Sequence, residues 1–365
     1  MNCKKCLTRI LSAALALCLL FTLLTACSSD SGNGDSNSNG NDNSNSSSGQ
    51  TYKLSMTIHD PATSAKTLKY EELAEKTREA TDGKVDITVY PGGTLVASTD
   101  VADGIAAGTA DMGWLFTTFF PGQFPLTEVV TLPMMFEDHE LATDVLLKLY
   151  EQSPELQAEL SEYKVLNMYC NPINYFYTTE PVESMADLKG MQIRATAGVA
   201  TDMVTAWGGS PILMGPGDMY QSIEKGVLNG MVFEWSGFNA FRLGEVTKYC
   251  TTLPICCGVF MCVMNKDSYN KLPAEYQQVI DEIWGAPQVS QEFADVFTED
   301  VQLALSVSVN DEGMTVIDLS DEATAEFKVA ADEYIDIWVK NQTTSSFDAQ
   351  SYLDLMLSIK EELEG

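Results

Sequence analysis

Alternating apolar and polar positions predict how the folded part of the chain begins. The alternation over residues 52–58 predicts a half-buried strand, and a second alternation over 85–89 predicts another. Between them, Asp60 followed by Pro61 is typical of a helix N-terminus, and the helix is expected to end at Gly83. Strand–helix–strand order of this kind favours a parallel sheet covered by helices.

The same order continues, with a weaker rhythm, through most of the chain. The last hundred residues are predicted to be mainly helical, with Gly285 and Pro287 interrupting the first of these helices. The predicted fold class is α/β with two lobes. Further strands are predicted at 111–115, 164–170, 174–179, 191–195, near 212 and at 259–264, and further helices at 98–108, 138–162, 199–207 and 218–226.

The N-terminus predicts export and lipidation. Three basic residues precede an apolar run over 10–24, which is too short and too close to the start for a comfortable membrane span. The run ends in Leu24-Thr25-Ala26-Cys27, which resembles the lipobox of bacterial lipoproteins. We expect residues 1–26 to be a signal peptide and Cys27 to carry lipid, with an ordinary secretory signal as the open alternative.

A polar tether is predicted after the signal. Residues 28–49 contain only Ser, Gly, Asn and Asp, so nothing in them favours a packed core. We expect the segment 27–50 to be a flexible tether spanning roughly 25–30 Å. The expected location is the cell envelope, either lipid-anchored on the outer face of the cytoplasmic membrane or periplasmic.

The net charge excludes some partners. The chain has 21 Lys and Arg against 52 Asp and Glu, a formal net charge of −31. Loss of the signal, with its three basic residues and no acidic ones, would make this −34. Such an acidic chain is not expected to bind nucleic acid or to dock on anionic lipid headgroups, since both need clustered Lys and Arg. Apolar residues make up 45%, enough for a sizeable core.

Motifs for catalysis are largely missing. The sequence has two histidines, His59 and His139, and neither belongs to a zinc-protease pattern. There is no G-x-S-x-G nucleophile motif and no phosphate-binding G-x-x-x-x-G-K loop. We therefore predict a non-enzyme without a resident cofactor, with an envelope hydrolase as a minor alternative. A tethered, two-lobed body without catalytic motifs favours a solute-binding protein.

Cysteines beyond the signal are expected to be buried small hydrophobes, with one disulfide as the open alternative. The pair Cys3 and Cys6 lies in the segment predicted to be removed, so its C-x-x-C spacing indicates no metal or redox site. The cysteines that follow the predicted tether are Cys170, Cys250, Cys256, Cys257 and Cys262, and their pairing cannot be read from their spacing.

Several segments over 52–290 resemble, in order and at fitting spacings, the receptor of the tripartite ATP-independent periplasmic (TRAP) transporters. The resemblance implies two α/β lobes (51–172 with 260–299, and 173–259 with 300–365), hinge strands and a long helix spanning both. The segments are KTREATDGK leading to VYPGGTL (76–95), GTADMG (108–113), PV followed by DLKGMQIR (181–194), and YQSIEKGVLNG (220–230).

The resemblance also implies a function and a central residue. Members of that family bind a small organic acid between the lobes and deliver it to a membrane permease, and the arginine matching Arg194 binds the ligand carboxylate. The chemistry is sound by itself, because a guanidinium keeps its charge on desolvation and binds a carboxylate through two parallel hydrogen bonds. Without the resemblance, an exposed arginine at a strand end would be the simpler interpretation.

Two departures from the family pattern affect the ligand. Many relatives carry a second arginine in the strand before the Pro-Val block, whereas the stretch 174–177 of this chain, Asn-Tyr-Phe-Tyr, has none. A monocarboxylate, aromatic acid or oxo acid is therefore favoured over a multiply charged acid. The turn at Gly230 leads to Phe233, Glu234 and Trp235, a pattern closer to the branch with an aromatic residue here.

The remaining ligand-binding candidates lie beside Arg194 in the predicted topology. Glu234 is expected to bind a ligand hydroxyl or ammonium, or a Ca²⁺ or Na⁺ bridging to the carboxylate, with a solvent-facing loop position as the alternative. Residues at strand C-terminal ends are added because α/β crevices bind ligands there. The full set is Arg194, Glu234, Trp235, Phe233, Tyr175, Asn174, Trp114, Phe116, Thr117 and His59.

The protein is expected to be a monomer. The alternative to a TRAP receptor is a solute receptor for an ABC importer.

Overall fold

The computed structural model describes residues 50–365. The predicted signal peptide 1–26, the lipidation site Cys27 and the tether residues 28–49 lie outside the described residues. Within the described part, no helix is long and apolar enough to cross a membrane.

Strands and helices alternate through the first two thirds of the described chain, and helices dominate the last third. The strands are β1 Tyr52–Thr57, β2 Val85–Tyr90, β3 Met112–Phe116, β4 Tyr163–Cys170, β5 Asn174–Thr178, β6 Gln192–Ala195, β7 Ser210–Leu213, β8 Gly230–Phe233, β9 Tyr249–Cys256, β10 Val259–Asn265 and β11 Thr315–Ile317. The helices are α1 Ala65–Ala80, α2 Val101–Ala106, α3 His139–Gln152, α4 Pro154–Glu159, α5 Val199–Ala206, α6 Met219–Glu224, α7 Lys266–Asn270, α8 Ala274–Trp284, α9 Pro287–Ser306, α10 Asp321–Gln342 and α11 Ala349–Glu364.

The first lobe is built on a five-stranded sheet with the order β2–β1–β3–β10–β4. Strands β1, β2 and β3 are parallel, as the strand–helix–strand pattern predicts, but β10 is antiparallel to both of its neighbours. The sheet is therefore mixed, because β10 enters this lobe from the other sheet. Alternate residues of β10 face two different cores: Val259, Met261 and Val263 one, and Phe260, Cys262 and Met264 the other.

The second lobe is built on a six-stranded sheet with the order β11–β9–β5–β8–β6–β7. The sequence pattern did not predict β8, β9 or β11. These strands carry a weak local signal, since β8 has four residues, β11 has three, and β9 contains Pro254 and two threonines. Pairing with β5 on both of its sides holds β8 and β9 in the sheet.

Two short segments cross between the sheets side by side. Residues 171–173 join β4 to β5, and residues 257–258 join β9 to β10. The backbone N–H of Asn171 donates to the carbonyl of Gly258 at 3.0 Å, and the N–H of Gly258 donates to the side-chain oxygen of Asn171. A Cβ atom at position 258 would collide with the ring of Phe116, so close packing requires glycine there.

Helix α1 begins later than the sequence predicts. Its N-cap is Ser64, whose side-chain oxygen accepts the backbone N–H of Thr67 at 3.1 Å. The predicted cap at Asp60 is therefore wrong, and Asp60 binds the ammonium of Lys66 instead. The predicted end is confirmed to within two residues, since the helix ends at Ala80 and Gly83 adopts a φ of 71° in the turn that follows.

Helix α9 spans both lobes. Its first half packs into a core of the first lobe through Val289, Phe293 and Phe297. Ala304 in its second half packs into a core of the second lobe. The predicted interruption is confirmed, because α8 ends just before Gly285 and α9 begins at Pro287.

The two C-terminal helices also connect the lobes. Phe327 and Ala331 of α10 pack into the second lobe, whereas its residue Trp338 packs against the first. Helix α11 packs on α3 of the first lobe, although the predicted boundaries group residues 300–365 with the second lobe. The predicted lobe boundaries stay predictions.

Candidate functional site

A cavity of about 810 Å³ lies between the two sheets. Loops at the C-terminal ends of β1 and β3 line it from the first lobe, and loops at the ends of β6, β7 and β8 line it from the second. The crossing segments and the last turns of α10 complete the wall. The volume and placement suit a small ligand bound at the C-terminal edges of α/β sheets.

Arg194 is the buried cation of the second lobe's wall. It lies in β6 between β7 and β8, is 4% exposed, and lines the cavity. Its Nε donates to the Met214 carbonyl at 3.0 Å and its Nη1 to the Val232 carbonyl at 3.2 Å. These bonds use two of the five N–H donors of a guanidinium, which leaves three without an acceptor in the described part of the chain. Such an arrangement is typical of an anion-binding arginine rather than an exposed strand end.

Electrostatics at Arg194 preserve its charge. Burial lowers the pKa of Arg194 to about 10, and the carboxylate of Glu234 opposes this shift. The guanidinium therefore remains protonated at neutral pH. The Phe233 ring lies 5.5 Å from the guanidinium carbon, which adds a cation–π contact.

Glu234 lines the cavity next to Arg194 in the same lobe. Its side chain accepts the backbone N–H of Ser236 and so caps the short helix Trp235–Gly237. Burial raises the pKa of Glu234, whereas the Ser236 hydrogen bond and the charge of Lys66 oppose that rise. The carboxyl group thus caps the short helix and also lines the cavity.

The first lobe contributes an aromatic wall. The rings of His59 and Trp114 lie 4.5 Å apart, and the ring of Phe119 lies 5.3 Å from His59. Phe116 packs 5.1 Å from Phe119 and also lines the cavity. Burial lowers the pKa of His59, so this imidazole is neutral at pH 7 and adds no charge to the wall.

Two amide side chains at the connection from β4 to β5 supply neutral polar groups. Asn174, the first residue of β5, lines the cavity, and its amide nitrogen donates to the Cys256 carbonyl at 2.9 Å. Asn171, in the crossing segment 171–173 that precedes β5, also lines the cavity. Both side chains are therefore held by backbone groups of the region that joins the lobes.

Three predicted site residues do not line the cavity. Trp235 packs against Tyr177 and Phe238 inside the second lobe, at ring distances of 4.9 and 5.0 Å. Tyr175 packs against the cores of both lobes, and Thr117 is fully buried beside the carboxyl group of Glu128. Tyr175 lies in β5 directly after the cavity residue Asn174, so strand alternation turns its side chain to the other side. Thr117 and Trp235 instead begin short helices that follow β3 and β8. The seven that do line it are Arg194, Glu234, Phe233, Asn174, Trp114, Phe116 and His59.

The sequence reasoning missed several charged and aromatic residues of the wall. Lys66 of α1 and Glu128 of the short helix Thr127–Thr131 line it from the first lobe. Asp202 of α5 and Tyr334 of α10 line it on the opposite side, and their side chains interact. Nothing local distinguished them from surface residues of amphipathic helices, because they approach the cavity only through tertiary packing.

The next question is whether the described residues around the cavity form a metal site or a disulfide. Among residues 50–365, no group of three or more His, Cys, Asp or Glu side chains is arranged to hold a metal ion. The Ca²⁺ or Na⁺ bridge considered for Glu234 stays a prediction. The five cysteines of this part of the chain are free and buried, as expected for small hydrophobes, with Cys256 and Cys257 forming part of the cavity wall.

Two lobes joined by paired crossing segments, with a cavity between them and a buried cation in its wall, define a solute-binding protein. Residues 56–341 match the model of the bacterial extracellular solute-binding protein family 7. The chain belongs to this family.

Individual relatives agree with the family match. The C4-dicarboxylate-binding periplasmic protein DctP of Rhodobacter capsulatus is 24% identical over 269 residues, which cover 73% of this chain and 78% of that protein. A TRAP periplasmic solute-binding protein of Desulfovibrio salexigens superposes with a TM-score of 0.78 at 25% identity, covering 86% of this chain and 97% of the other.

A TRAP solute-binding protein from a marine metagenome, specific for aromatic acid ligands and crystallised with 3-hydroxybenzoate, is also similar. It gives a TM-score of 0.77 at 25% identity, covering 87% of this chain and all of the other. The matched family and its members are transport solute-binding proteins, so the chain is a solute receptor and not an enzyme.

Proposed function

We propose that this protein captures a small organic monocarboxylate in the interlobe cavity and delivers it to a TRAP membrane permease. The observation that carries the proposal is Arg194, a buried cation with unused N–H donors at the wall of the cavity. A carboxylate can accept two parallel hydrogen bonds from such a guanidinium. Because burial weakens solvent screening, this contact is stronger than the same pair on the surface.

The charge of the wall favours one carboxylate per ligand. Its cations are Lys66 and Arg194, whereas Asp60, Glu128, Asp202 and Glu234 supply four carboxyl groups. A second carboxylate on the ligand would meet this acidic wall without a further arginine, and like charges repel strongly where water is scarce. The dicarboxylate bound by the Rhodobacter relative is therefore a poorer model for this ligand.

The body of the ligand is proposed to be apolar or aromatic. The rings of Trp114, Phe116, Phe119 and Phe233 offer flat apolar surface in the same cavity as Arg194. Aromatic side chains favour ring contacts at offset or edge-on geometry. The likeness to a receptor that binds 3-hydroxybenzoate supports an aromatic acid as the first candidate.

The delivery step is proposed to occur at a membrane. Cleavage before Cys27 and lipidation of its thiol would anchor the chain, and the tether would let the monomeric receptor reorient toward the permease. Cys27→Ser should move the protein from the membrane fraction to the soluble fraction without changing ligand affinity. Continued membrane association of that variant would contradict the anchor.

The proposal is tested by calorimetry against small carboxylates, with benzoate, 3-hydroxybenzoate, phenylacetate, mandelate and succinate as probes. We expect an aromatic monocarboxylate to bind and succinate not to bind. Arg194→Met should weaken binding about 100-fold or more, since a charged hydrogen-bonded pair is lost. Arg78→Met, at an exposed site on α1, is the matched control and should bind normally. Normal binding by Arg194→Met would refute the site.

A further inference from the structure

Lys66 lies in the first turn of α1 and reaches the cavity from the lobe opposite Arg194. Its side chain is only 16% exposed. The ammonium nitrogen lies over three aromatic rings, at 4.7 Å from the centroid of Trp114, 4.9 Å from Phe260 and 5.3 Å from Phe297. These cation–π contacts hold the charge at a fixed place in the wall.

The hydrogen bonds of Lys66 are incomplete. Its ammonium lies 3.1 Å from a carboxylate oxygen of Asp60, a partner at the end of β1. An ammonium has three N–H donors, and within residues 50–365 Asp60 is the one carboxylate within ion-pair distance of it. At least two donors are therefore left without an oxygen acceptor among the described residues and are open to a group that enters the cavity.

The next lysine of the same helix shows the contrast. Lys69 is similarly covered, with 18% of its side chain exposed, but it pairs with two carboxylates, at 2.6 Å from Glu292 and 3.6 Å from Glu72. Lys69 does not line the cavity. An ion pair that only braces α1 would resemble that of Lys69, whereas Lys66 keeps its head group at the cavity.

Charges across the cavity also act on Lys66. Glu234 in the second lobe interacts electrostatically both with Lys66 and with Arg194. One carboxyl group is thus close enough to two cations, one from each lobe, to influence both. A ligand beside Glu234 is therefore within the electrostatic range of both cations.

We propose that Lys66 is a second cationic contact for the bound acid, donating from the first lobe to an acceptor oxygen that Arg194 does not bind. The inference rests on the proposed function. The ligand class is then a carboxylic acid with an additional hydroxyl or oxo oxygen on an apolar or aromatic body. The ligand would then be bound from both lobes, and its additional oxygen would be a determinant of specificity.

Two matched acid pairs test the inference: mandelate with phenylacetate, and 3-hydroxybenzoate with benzoate. Each pair differs by one hydroxyl group. Lys66→Met keeps the length of the side chain over the aromatic rings and removes its donors. We expect Lys66→Met to weaken binding of the better-bound hydroxy acid about 10- to 100-fold. Binding of the matched acid without the hydroxyl group should weaken less than about threefold.

Removal of Lys66 also leaves Asp60 unpaired, which by itself would repel any anion. The double variant Asp60→Asn with Lys66→Met removes this charge, and the loss of discrimination between the two acids should persist in it. Lys69→Met is the matched control and should keep the discrimination of the wild-type protein.

The outcomes separate this inference from the proposed function. Equal weakening of both acids of a pair, or unchanged binding of the hydroxy acid, would overturn the role of Lys66 while leaving Arg194 and the carboxylate site intact. Binding of no carboxylate by the wild-type protein would instead overturn the proposed function, and the inference with it. Wild-type binding that favours the acid without the hydroxyl would also contradict the assigned ligand class.

Discussion

The two cationic side chains of the cavity wall, Arg194 and Lys66, are largely buried. Arg194 is held by two backbone carbonyls, and Lys66 by aromatic rings and one carboxylate. Glu128 has no cationic partner among the described residues, and burial raises its pKa to about 7, with the charge of Glu159 adding to the rise. The wall therefore changes its charge near neutral pH through Glu128.

Glu128 provides a prediction about stability and pH. In the folded protein the carboxyl group of Glu128 keeps its proton up to about pH 7, whereas in the unfolded chain the pKa of this group is near the ordinary 4.5. The folded state binds more protons between these values, so Glu128 lowers stability progressively as pH rises from 4.5 to 7. Glu128→Gln removes this loss.

The melting temperature of Glu128→Gln relative to wild type should therefore rise between pH 5 and pH 8. Differential scanning calorimetry measures this difference. The same substitution at the exposed Glu151 is the control and should show no such rise. A difference that is constant with pH for Glu128→Gln would refute the assignment.

At the scale of elements, the crossing segments decide how the lobes meet. Gly258 places one segment against the ring of Phe116, and both residues line the cavity. Asn171 bonds the two segments to each other. The cavity is thus shaped by backbone packing as much as by the side chains that face a ligand.

Gly258→Ala is expected to destabilise the protein by about 1–3 kcal/mol, since the added methyl group collides with Phe116 in a packed region. Gly217→Ala is the matched control, because a Cβ atom there meets no atom within 4 Å. Chemical denaturation measures both free energies of unfolding. Equal effects at the two positions would contradict the proposed role of the close contact.

The C-terminal helix α11 supports a second prediction at this scale. Met356 is fully buried in the core that α11 shares with α3, whereas the next residue, Leu357, is 39% exposed. Met356→Ala should cost about 2–5 kcal/mol of unfolding free energy. Leu357→Ala should cost less than about 1 kcal/mol in the same denaturation experiment. Loss of similar size in both variants would show that α11 does not pack on the first lobe.

On the scale of the whole molecule, the cations of the cavity come from different lobes and the lobes are joined by short connections. Lys66 belongs to the first lobe and Arg194 to the second. A ligand that contacts both would favour a conformation in which the lobes are close, since a ligand shifts the population toward the state it binds better.

Small-angle X-ray scattering tests this coupling. Addition of a saturating aromatic monocarboxylate is expected to reduce the radius of gyration of the wild-type protein, and to leave that of Arg194→Met unchanged at the same ligand concentration. An unchanged radius in the wild-type protein, at a concentration where calorimetry shows full binding, would contradict ligand-induced closure.

Much of the fold could be predicted from the sequence because its signals are local. The alternations predicted β1 and β2, the apolar run at 259–264 predicted β10, and the Gly285–Pro287 interruption separated α8 from α9. The start of α1, the strand β9 and the packing of α11 could not be predicted in the same way. The start of α1 depends on which of two local caps is used, Ser64 rather than Asp60. Strand β9 and helix α11 depend on partners distant in sequence, since β5 pairs with β9 and α3 covers α11.

The sequence by itself determined the family resemblance, the alternating framework, the acidic surface and Arg194 as the central cation, because each of these is written in short motifs or in composition. Only the tertiary structure decided which side chains share the cavity with Arg194. It placed Lys66 and Glu128 in the wall and Trp235 in the core. A side chain's environment is set by what packs against it from other elements, and no local pattern contains that information.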